Sequence, residues 1–461
     1  MRPRRRPSHW RRSTHLAVGA AVLTVVVSVV AAAALVTGGD QQPDPRITAE
    51  PAPVTADPAV VPVAEGAPTP TQAGLARTLA VALADPNLGD LTGRITDADT
   101  GEQLWQQHDD IPMQPASTNK TLTAAAALLT LDRDDRLTTR VVAGAQPGVI
   151  VLVGGGDPTL SASPIGEDTW YRDGARITDL AAGVRKSGVK VSAVQVDTSL
   201  YDGPTMAPGW DPADIDGGDI APIEPVMLDA GRTQPTSFDS RRSRTPALDA
   251  GRALAAALRV DPAAVRVASA PSTGRELASV QSAPLIERLR QMMNASDNVM
   301  AEMIGREVAA ATGHRLSFAG AADAVLDQLR DADIDLTGAR LMDSSGLSVD
   351  DRLTVRTLDE VIGAAAGPDH PRMRSLLDVL PIAGGSGTLS NRYLDDTTRP
   401  AAGWLRAKTG SLTGTNTLVG VITDASGRVL TFAFVSNDAG PTGRLALDAL
   451  AATLRSCGCD R

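Results

Sequence analysis

The apolar residues of this 461-residue chain fall into distinct textures, and each predicts a different kind of structure. Residues 16–36 form an uncharged run of 21 positions, LAVGAAVLTVVVSVVAAAALV. As a helix such a run spans about 31 Å, which matches a hydrocarbon core of about 30 Å. It exceeds the apolar stretch of about 7–15 residues in a cleavable signal peptide, so an uncleaved transmembrane anchor is expected, with a cleaved signal and secretion to the cell wall as the alternative. No cysteine stands directly after it, which argues against a lipoprotein anchor. Residues 1–15 are basic, which keeps them cytoplasmic and places the rest of the chain on the extracytoplasmic face of the membrane. Residues 37–73 are rich in Pro, Ala, Val and Asp with no helical or strand period, and predict an extended, semi-rigid linker.

Beyond the linker the pattern becomes periodic. Leu75, Leu79 and Leu83 mark one face of a helix over 71–84, and 93–106 reads as two strands about the turn at 97–101. Residues 117–131, STNKTLTAAAALLTL, predict a mostly apolar helix with Pro115 just ahead of it. Between 132 and 283 short β-rich runs (149–153, 189–196) alternate with Gly, Pro and Asp turns, and 211–218 reads as an acidic loop. This stretch predicts one inserted β-rich domain. Helices over 284–293 and 299–312 flank 294–298, strands follow over 405–422 and 429–436, and 441–455 closes as a helix. Helix–strand–strand at one end and strand–strand–helix at the other predict an α/β (α+β) domain. Its single antiparallel sheet, flanked by helices, is assembled from 74–131 and 284–456. The tail at 457–461 carries Cys457 and Cys459, expected to close a tight loop or an intermolecular bridge and to play no catalytic part.

Composition narrows the function classes. Aromatic residues are only 3%, too few for the stacking platforms that hold single-stranded nucleic acid. The net charge is -10, and the body is more acidic still because six arginines precede residue 16, so nucleic acid is excluded as a partner. Five histidines and two cysteines are too few and too scattered for a metal site, and no cofactor is expected.

Four lysines occur in the chain, which makes the context of each informative. Lys120 follows Ser117 by three residues at the start of a helix, where i and i+3 share a face and the hydroxyl and amine can touch. The helix start also offers free N–H groups and positive partial charge at the serine. A desolvated lysine beside another cation can lose its proton near neutral pH and act as a base. Lys408 opens Lys408-Thr409-Gly410 on a strand, where Gly410 would let a substrate backbone approach closely. Ser296-Asp297-Asn298 lies in the short loop between two helices. Taken singly these are a helix cap, a strand end and a turn. In this order, with these contexts, S-x-x-K, S-D-N and K-T-G are the signature of the penicillin-recognising serine enzymes.

Spacing selects a branch. Ser117 and Ser296 are 179 residues apart, and the chain also holds Gly154-Gly155-Gly156-Asp157-Pro158-Thr159-Leu160, Asp343-Ser344-Ser345-Gly346-Leu347-Ser348, Leu380-Pro381-Ile382-Ala383-Gly384 and Gly387-Thr388-Leu389. In these features the chain resembles the D-alanyl-D-alanine carboxypeptidase/endopeptidase family, the low-molecular-mass class C penicillin-binding proteins, over roughly residues 74 to 456. The resemblance implies a penicillin-binding, β-lactamase-like transpeptidase fold. It also implies hydrolysis of peptidoglycan stem peptides through an acyl-enzyme on Ser117, with β-lactams as covalent inhibitors. Lys120 would take the serine proton, and the N–H groups of Ser117 and Ser411 would form the oxyanion hole. Ser296 and Lys408 would pass a proton to the departing nitrogen, Asn298 would bind a substrate amide, and Lys408 with Thr409 the terminal carboxylate. The resemblance further implies an acid for the stem ammonium, here Asp214 or Asp211, and an arginine for its carboxylate. Val349 stands where that arginine is expected, and Arg352 is the nearest.

The sequence argues against three other readings. A Ser-His-Asp hydrolase lacks a G-x-S-x-G elbow despite His108, His314 and His370. A class A β-lactamase would carry Glu-x-x-Leu-Asn between 299 and 407, and the chain has none. A non-catalytic sensor would not need Ser117, Lys120 and Lys408 intact.

Overall fold

The computed structural model describes residues 66–268, 271–456 and 458. The expected anchor, the first part of the linker, and Cys457 and Cys459 lie outside the described residues. Among the described residues no helix is long and apolar enough to cross a membrane.

In chain order the main elements begin with α1 (Gln72–Leu83), β1 (Asp90–Asp97), β2 (Gln103–Gln107) and α2 (Lys120–Thr130). There follow β3 (Thr138–Ala143), β4 (Val149–Val153), α3 (Ile177–Lys186), β5 (Ala193–Asp197), α4 (Ala213–Gly217), α5 (Pro246–Leu258), β6 (Arg266–Val267) and β7 (Glu276–Gln281). Helices α6 (Leu285–Ala295), α7 (Asn298–Thr312), α8 (Phe318–Arg330), α9 (Val355–Ala366) and α10 (Ser375–Val379) lead to β8 (Leu405–Leu412), β9 (Thr415–Thr423), β10 (Val429–Asn437) and α11 (Gly443–Thr453).

The first sheet has the order β2-β1-β10-β9-β8, with every pair antiparallel. The N-terminal hairpin is joined to the C-terminal meander along β1 and β10, from Asp90 opposite Asn437 to Asp97 opposite Leu430. Strand alternation gives this sheet two apolar faces. Leu418, Ile422, Phe432 and Phe434 pack with Leu75 and Leu79 of α1 and Leu447 and Leu450 of α11. Val419, Val421, Ala433 and Val435 face the helical cluster built on α2, α7, α8 and α9. Helix α2 is buried from Lys120 to Leu128, and its run of four alanines leaves room for helices on both sides. The last strand, β8, is an edge.

The second sheet, β6-β5-β4-β3-β7, is mixed: β4, β5 and β6 run parallel, while β3 is antiparallel to both β4 and β7. Two findings correct the sequence reading of 132–283. The stretch carries two substantial helices, α3 and α5, because Ile177, Leu180, Ala181 and Val184 recur at helical spacing and seat α3 on the sheet. The acidic run at 211–218 is not all loop: α4 forms there, Ile215 anchors it in the interior and Gly218 closes it in a left-handed conformation at φ 91°. Trp210, Ile220, Ile223 and Met227 join the helical cluster, whereas Val226 belongs to the core of the second sheet.

Candidate active site

Ser117 sits on a 3-10 turn, Ala116–Asn119, which runs directly into α2. The expected helix therefore starts one turn later as α-helix. Ala116, just before the serine, has φ 46°, a left-handed conformation that a residue with a Cβ adopts at a cost. Lys120 Nζ lies 2.9 Å from Ser117 Oγ, 2.6 Å from Asn298 Oδ1 and 2.7 Å from the Ser345 carbonyl. All three ammonium donors thus have acceptors. Burial pushes the Lys120 pKa down to about 8, against the pull of Asp343, Asp297, Glu302 and Asp351.

The Ser345 carbonyl is aimed by a clamp. The buried carboxylate of Asp343 accepts the backbone N–H groups of Ser345, Gly346 and Ser348 at 2.9, 2.6 and 2.8 Å, and the Trp210 indole N–H at 2.7 Å. Gly346 adopts φ 77°, and a Cβ there would stand 1.9 Å from the Ala116 carbonyl oxygen. The S-S-G-L-S segment thus braces the serine turn.

Ser296-Asp297-Asn298 links α6 to α7. Ser296 ends α6 in a left-handed conformation at φ 55°, and Asp297 caps α7 by accepting the Met300 N–H at 3.0 Å. The other oxygen of Asp297 accepts the Tyr171 hydroxyl at 2.5 Å. Burial alone would raise the Asp297 pKa, but Arg242 and Arg232 beside it, with the Tyr171 hydroxyl, hold it below the ordinary value. Asn298 donates its amide to the Asp219 carbonyl at 3.0 Å. Tyr171, Asp219, Arg232 and Arg242 all come from the 132–283 stretch.

Lys408 Nζ lies 2.9 Å from Ser296 Oγ and 2.7 Å from the Thr409 carbonyl. Burial, then Lys120 and Arg392, push its pKa well below the ordinary lysine value. Thr409 donates its hydroxyl to Thr388 Oγ1 at 2.9 Å. Gly410 is crowded by the protein itself: a Cβ would stand 2.2 Å from Thr417 Oγ1 and 2.9 Å from the Ser117 nitrogen. Its missing side chain lets the edge strand close on the serine turn. The Pro381–Ala383 segment covers the first part of that edge, through Ala407 N to Pro381 O and Ala383 N to Leu405 O at 3.0 Å each, whereas Thr409, Gly410, Ser411 and Leu412 line a cleft.

The cleft encloses about 830 Å³ and is also lined by Ser117, Ser296 and Asn298, by Trp170 and Phe238, and by Asp219. It thus brings together Ser117, Ser296, Asn298, Thr409, Gly410 and Ser411, with Lys120 and Lys408 buried behind them. Asp214 and Asp211 are not brought to it; Asp219 is the acid of that run that lines it. Arg352 is also elsewhere: its guanidinium donates to the carbonyls of Val349 and Asp351, and it lines a separate cavity with Gln114 and Asn437. The sequence carried a signal for Asp343 and Thr388 in the S-S-G-L-S and G-T-L segments, but no role. For Tyr171, Trp170 and Phe238 it carried none. Among the described residues no group of acidic, histidine or cysteine side chains could hold a metal ion.

Residues 75–240 and 236–454 match the family model described as D-Ala-D-Ala carboxypeptidase 3 (S13) family, and 5–62 match the N-terminal domain of the carboxypeptidase Rv3627c-like proteins. The chain is 68% identical to carboxypeptidase DacB of Mycolicibacterium smegmatis over 457 residues, 98% of this chain and 99% of that protein. With D-alanyl-D-alanine carboxypeptidase of an Actinomadura species it shares 30% identity over 81% of this chain and 82% of that one. Penicillin binding protein 4 of Haemophilus influenzae has the same fold, with a TM-score of 0.67 at 22% identity, covering 84% of this chain and 99% of that one.

Proposed function

The chain belongs to the D-Ala-D-Ala carboxypeptidase 3 (S13) family, and on that premise we propose that it is a serine-type D-alanyl-D-alanine carboxypeptidase acting on peptidoglycan stem peptides. The observation that carries this reading is the paired contact of Ser117 Oγ with Lys120 Nζ and of Ser296 Oγ with Lys408 Nζ, at 2.9 Å each, behind one cleft. Two hydroxyls, each with its own buried amine, can take a proton from one side of a scissile amide and return one to the other.

Lys120 accepts the Ser117 proton as Oγ attacks the carbonyl carbon, and the N–H groups of Ser117 and Ser411 hold the oxyanion. The C–N bond then breaks. Its nitrogen takes the Ser296 proton, which Lys408 replaces, and D-alanine leaves. The proton held by Lys120 is returned to Lys408. Lys120, neutral again, takes a proton from the water that attacks the ester and gives it to Ser117 Oγ as the C–O bond breaks, which releases the acid and regenerates Ser117. Asn298 orients the acyl amide, and Lys408 with Thr409 reads the terminal carboxylate. β-Lactams acylate the same serine. Peptidoglycan lies outside the membrane, which agrees with the apolar run at 16–36 acting as an anchor and 37–73 as a tether. The second sheet, with a core of its own, supports reading 132–283 as an insert in a catalytic domain of 74–131 and 284–456.

The test is D-alanine release from a stem pentapeptide, with mass spectrometry of the protein after benzylpenicillin treatment. The wild type gains the mass of one penicillin on Ser117; Ser117→Ala gains none and releases no D-alanine. Normal release by Ser117→Ala would overturn the assignment.

A further inference from the structure

We infer that Trp170 and Phe238 form a stacking subsite on the acyl side of the cleft for the pyranose ring that carries the stem peptide, so that the enzyme reads the glycan as well as the peptide. This inference deepens the stem-peptide reading above and rests on it. Both side chains line the same cleft as Ser117 and Asn298. Their place along it follows from one neighbour. Tyr171 turns inward and donates its hydroxyl to Asp297, while Trp170, next to it in the chain, faces the cleft. Trp170 therefore stands on the side of the S-D-N loop, whose Asn298 orients the acyl amide. Asp219, whose carbonyl accepts the Asn298 amide, lines the cleft there too.

The pair is held so as to present its rings. The Trp170 and Phe238 centroids are 6.0 Å apart, with the planes inclined at 50°. The Arg232 guanidinium lies 4.0 Å from the Trp170 centroid, a cation stacked on one face that fixes how the ring points. Arg232 is 9% exposed and its Nε and Nη1 have no hydrogen-bond partner, which leaves the faces of Trp170 and, at 6.0 Å, Tyr171 to hold it. Phe238 sits at the tip of a loop that is closed at its base. There the Thr233 N–H bonds the Arg241 carbonyl at 3.0 Å, and Arg242 donates to the Gly218 and Ala230 carbonyls at 2.9 and 2.6 Å. The other three phenylalanines of the chain, Phe318, Phe432 and Phe434, are buried, whereas Phe238 is 73% exposed on the wall of a cleft. An apolar ring left in water at such a place marks a ligand surface. A stem peptide of short, acidic and diamino residues has no ring to lay on these faces. The ring at its acyl end is the amino sugar that bears it. Its axial C–H groups make a flat apolar face, which packs on an aromatic ring while the hydroxyl edge stays in water. Contacts so far from the scissile bond act on ground state and transition state alike, so their effect belongs to KM.

The test uses two substrates with the same scissile bond, the free stem pentapeptide and that pentapeptide carried on N-acetylmuramic acid. Benzylpenicillin labelling counts the competent sites in each preparation, so rates are compared per folded enzyme. The wild type should favour the muramyl pentapeptide in kcat/KM by about tenfold, chiefly through a lower KM. Phe238→Ala should lower the ratio of the two substrates about fivefold, and Trp170→Ala at least as far. Phe238→Tyr keeps the ring face and should hold the ratio. Equal kcat/KM for the two substrates in the wild type would overturn the subsite. So would a ratio unmoved by Phe238→Ala and Trp170→Ala, which would mean that the rings touch the peptide or nothing. A wild type that neither releases D-alanine nor reacts with penicillin would instead remove the acyl-transfer reading beneath it.

Discussion

Two lysines, both fully buried, both within 2.9 Å of a serine hydroxyl, meet opposite surroundings. Lys120 faces the field of four carboxylates, Asp343, Asp297, Glu302 and Asp351. Those charges counter burial and leave its pKa at about 8. Lys408 has a hydroxyl and a carbonyl as acceptors, and Lys120 and Arg392 as charged neighbours, so nothing offsets the cost of burying its charge. The difference fits the roles proposed for them. Lys120 is poised to give and take a proton near neutrality without help from substrate. An entering carboxylate would favour the Lys408 cation, which couples carboxylate binding to readiness of the second proton path.

The largest effect should come from breaking the poised member. Lys120→Ala should slow acylation by roughly a thousandfold or more, for peptide and penicillin alike, because a base acting in a coupled unit is lost. Stopped-flow acylation rates would show it, and a loss under tenfold would move the base elsewhere. The pH profile sharpens the same point. With the free amine as the proposed base, kcat/KM should rise with pH and level off above about 8. At pH 6 it should lie about a hundredfold below the plateau. Glu302→Gln removes a carboxylate that raises the Lys120 pKa, so it should move the inflection to lower pH. A flat profile from pH 6 to 9 would contradict Lys120 as the base.

Lys408 should respond differently. Amidating the substrate's terminal carboxylate should cost the wild type about 10- to 100-fold in kcat/KM, the range of one charge-assisted contact. In Lys408→Ala the same change should cost little. An equal penalty in both proteins would mean that another cation reads the carboxylate.

What the sequence made legible follows the range of each interaction. Ser117 and Lys120 are one helical turn apart, so a spacing of three residues already implied their contact. The joining of 93–106 with 405–422 and 429–436 in one sheet was readable from the order of elements, helix–strand–strand first and strand–strand–helix last. The choice among the acids of 211–219 was not. It depends on Ile215 being drawn inside, which winds 213–217 into α4 and leaves Asp219, not Asp214, at the cleft. Nor could a sequence reveal that Trp210 would bond Asp343 across 133 residues, or Tyr171 bond Asp297 across 126. These are long-range contacts between single polar atoms, and no periodicity announces them.

The smallest predicted effect tests one of those long-range contacts. The Tyr171 hydroxyl, 1% exposed with its residue, ends on the carboxylate that caps α7 and so fixes Asn298 against Lys120. Tyr171→Phe keeps the ring in its packing and removes only that donor. Asp297 retains Arg242 and Arg232 as charged neighbours and its bond from Met300, so it stays ionised and the field on Lys120 is unchanged. Positioning of the loop should loosen while the proton affinity of the base does not move. The expected result is a two- to fivefold fall in kcat, about the effect of one neutral contact acting at a distance, with the pH inflection where it was. Asp297→Asn is the contrast: Asn still caps a helix well, but the lost charge should carry the inflection to lower pH. Were Tyr171→Phe to shift the inflection as Asp297→Asn does, its hydroxyl would be acting on charge. Were it to leave kcat untouched, the 132–283 stretch would cover the loop without positioning it.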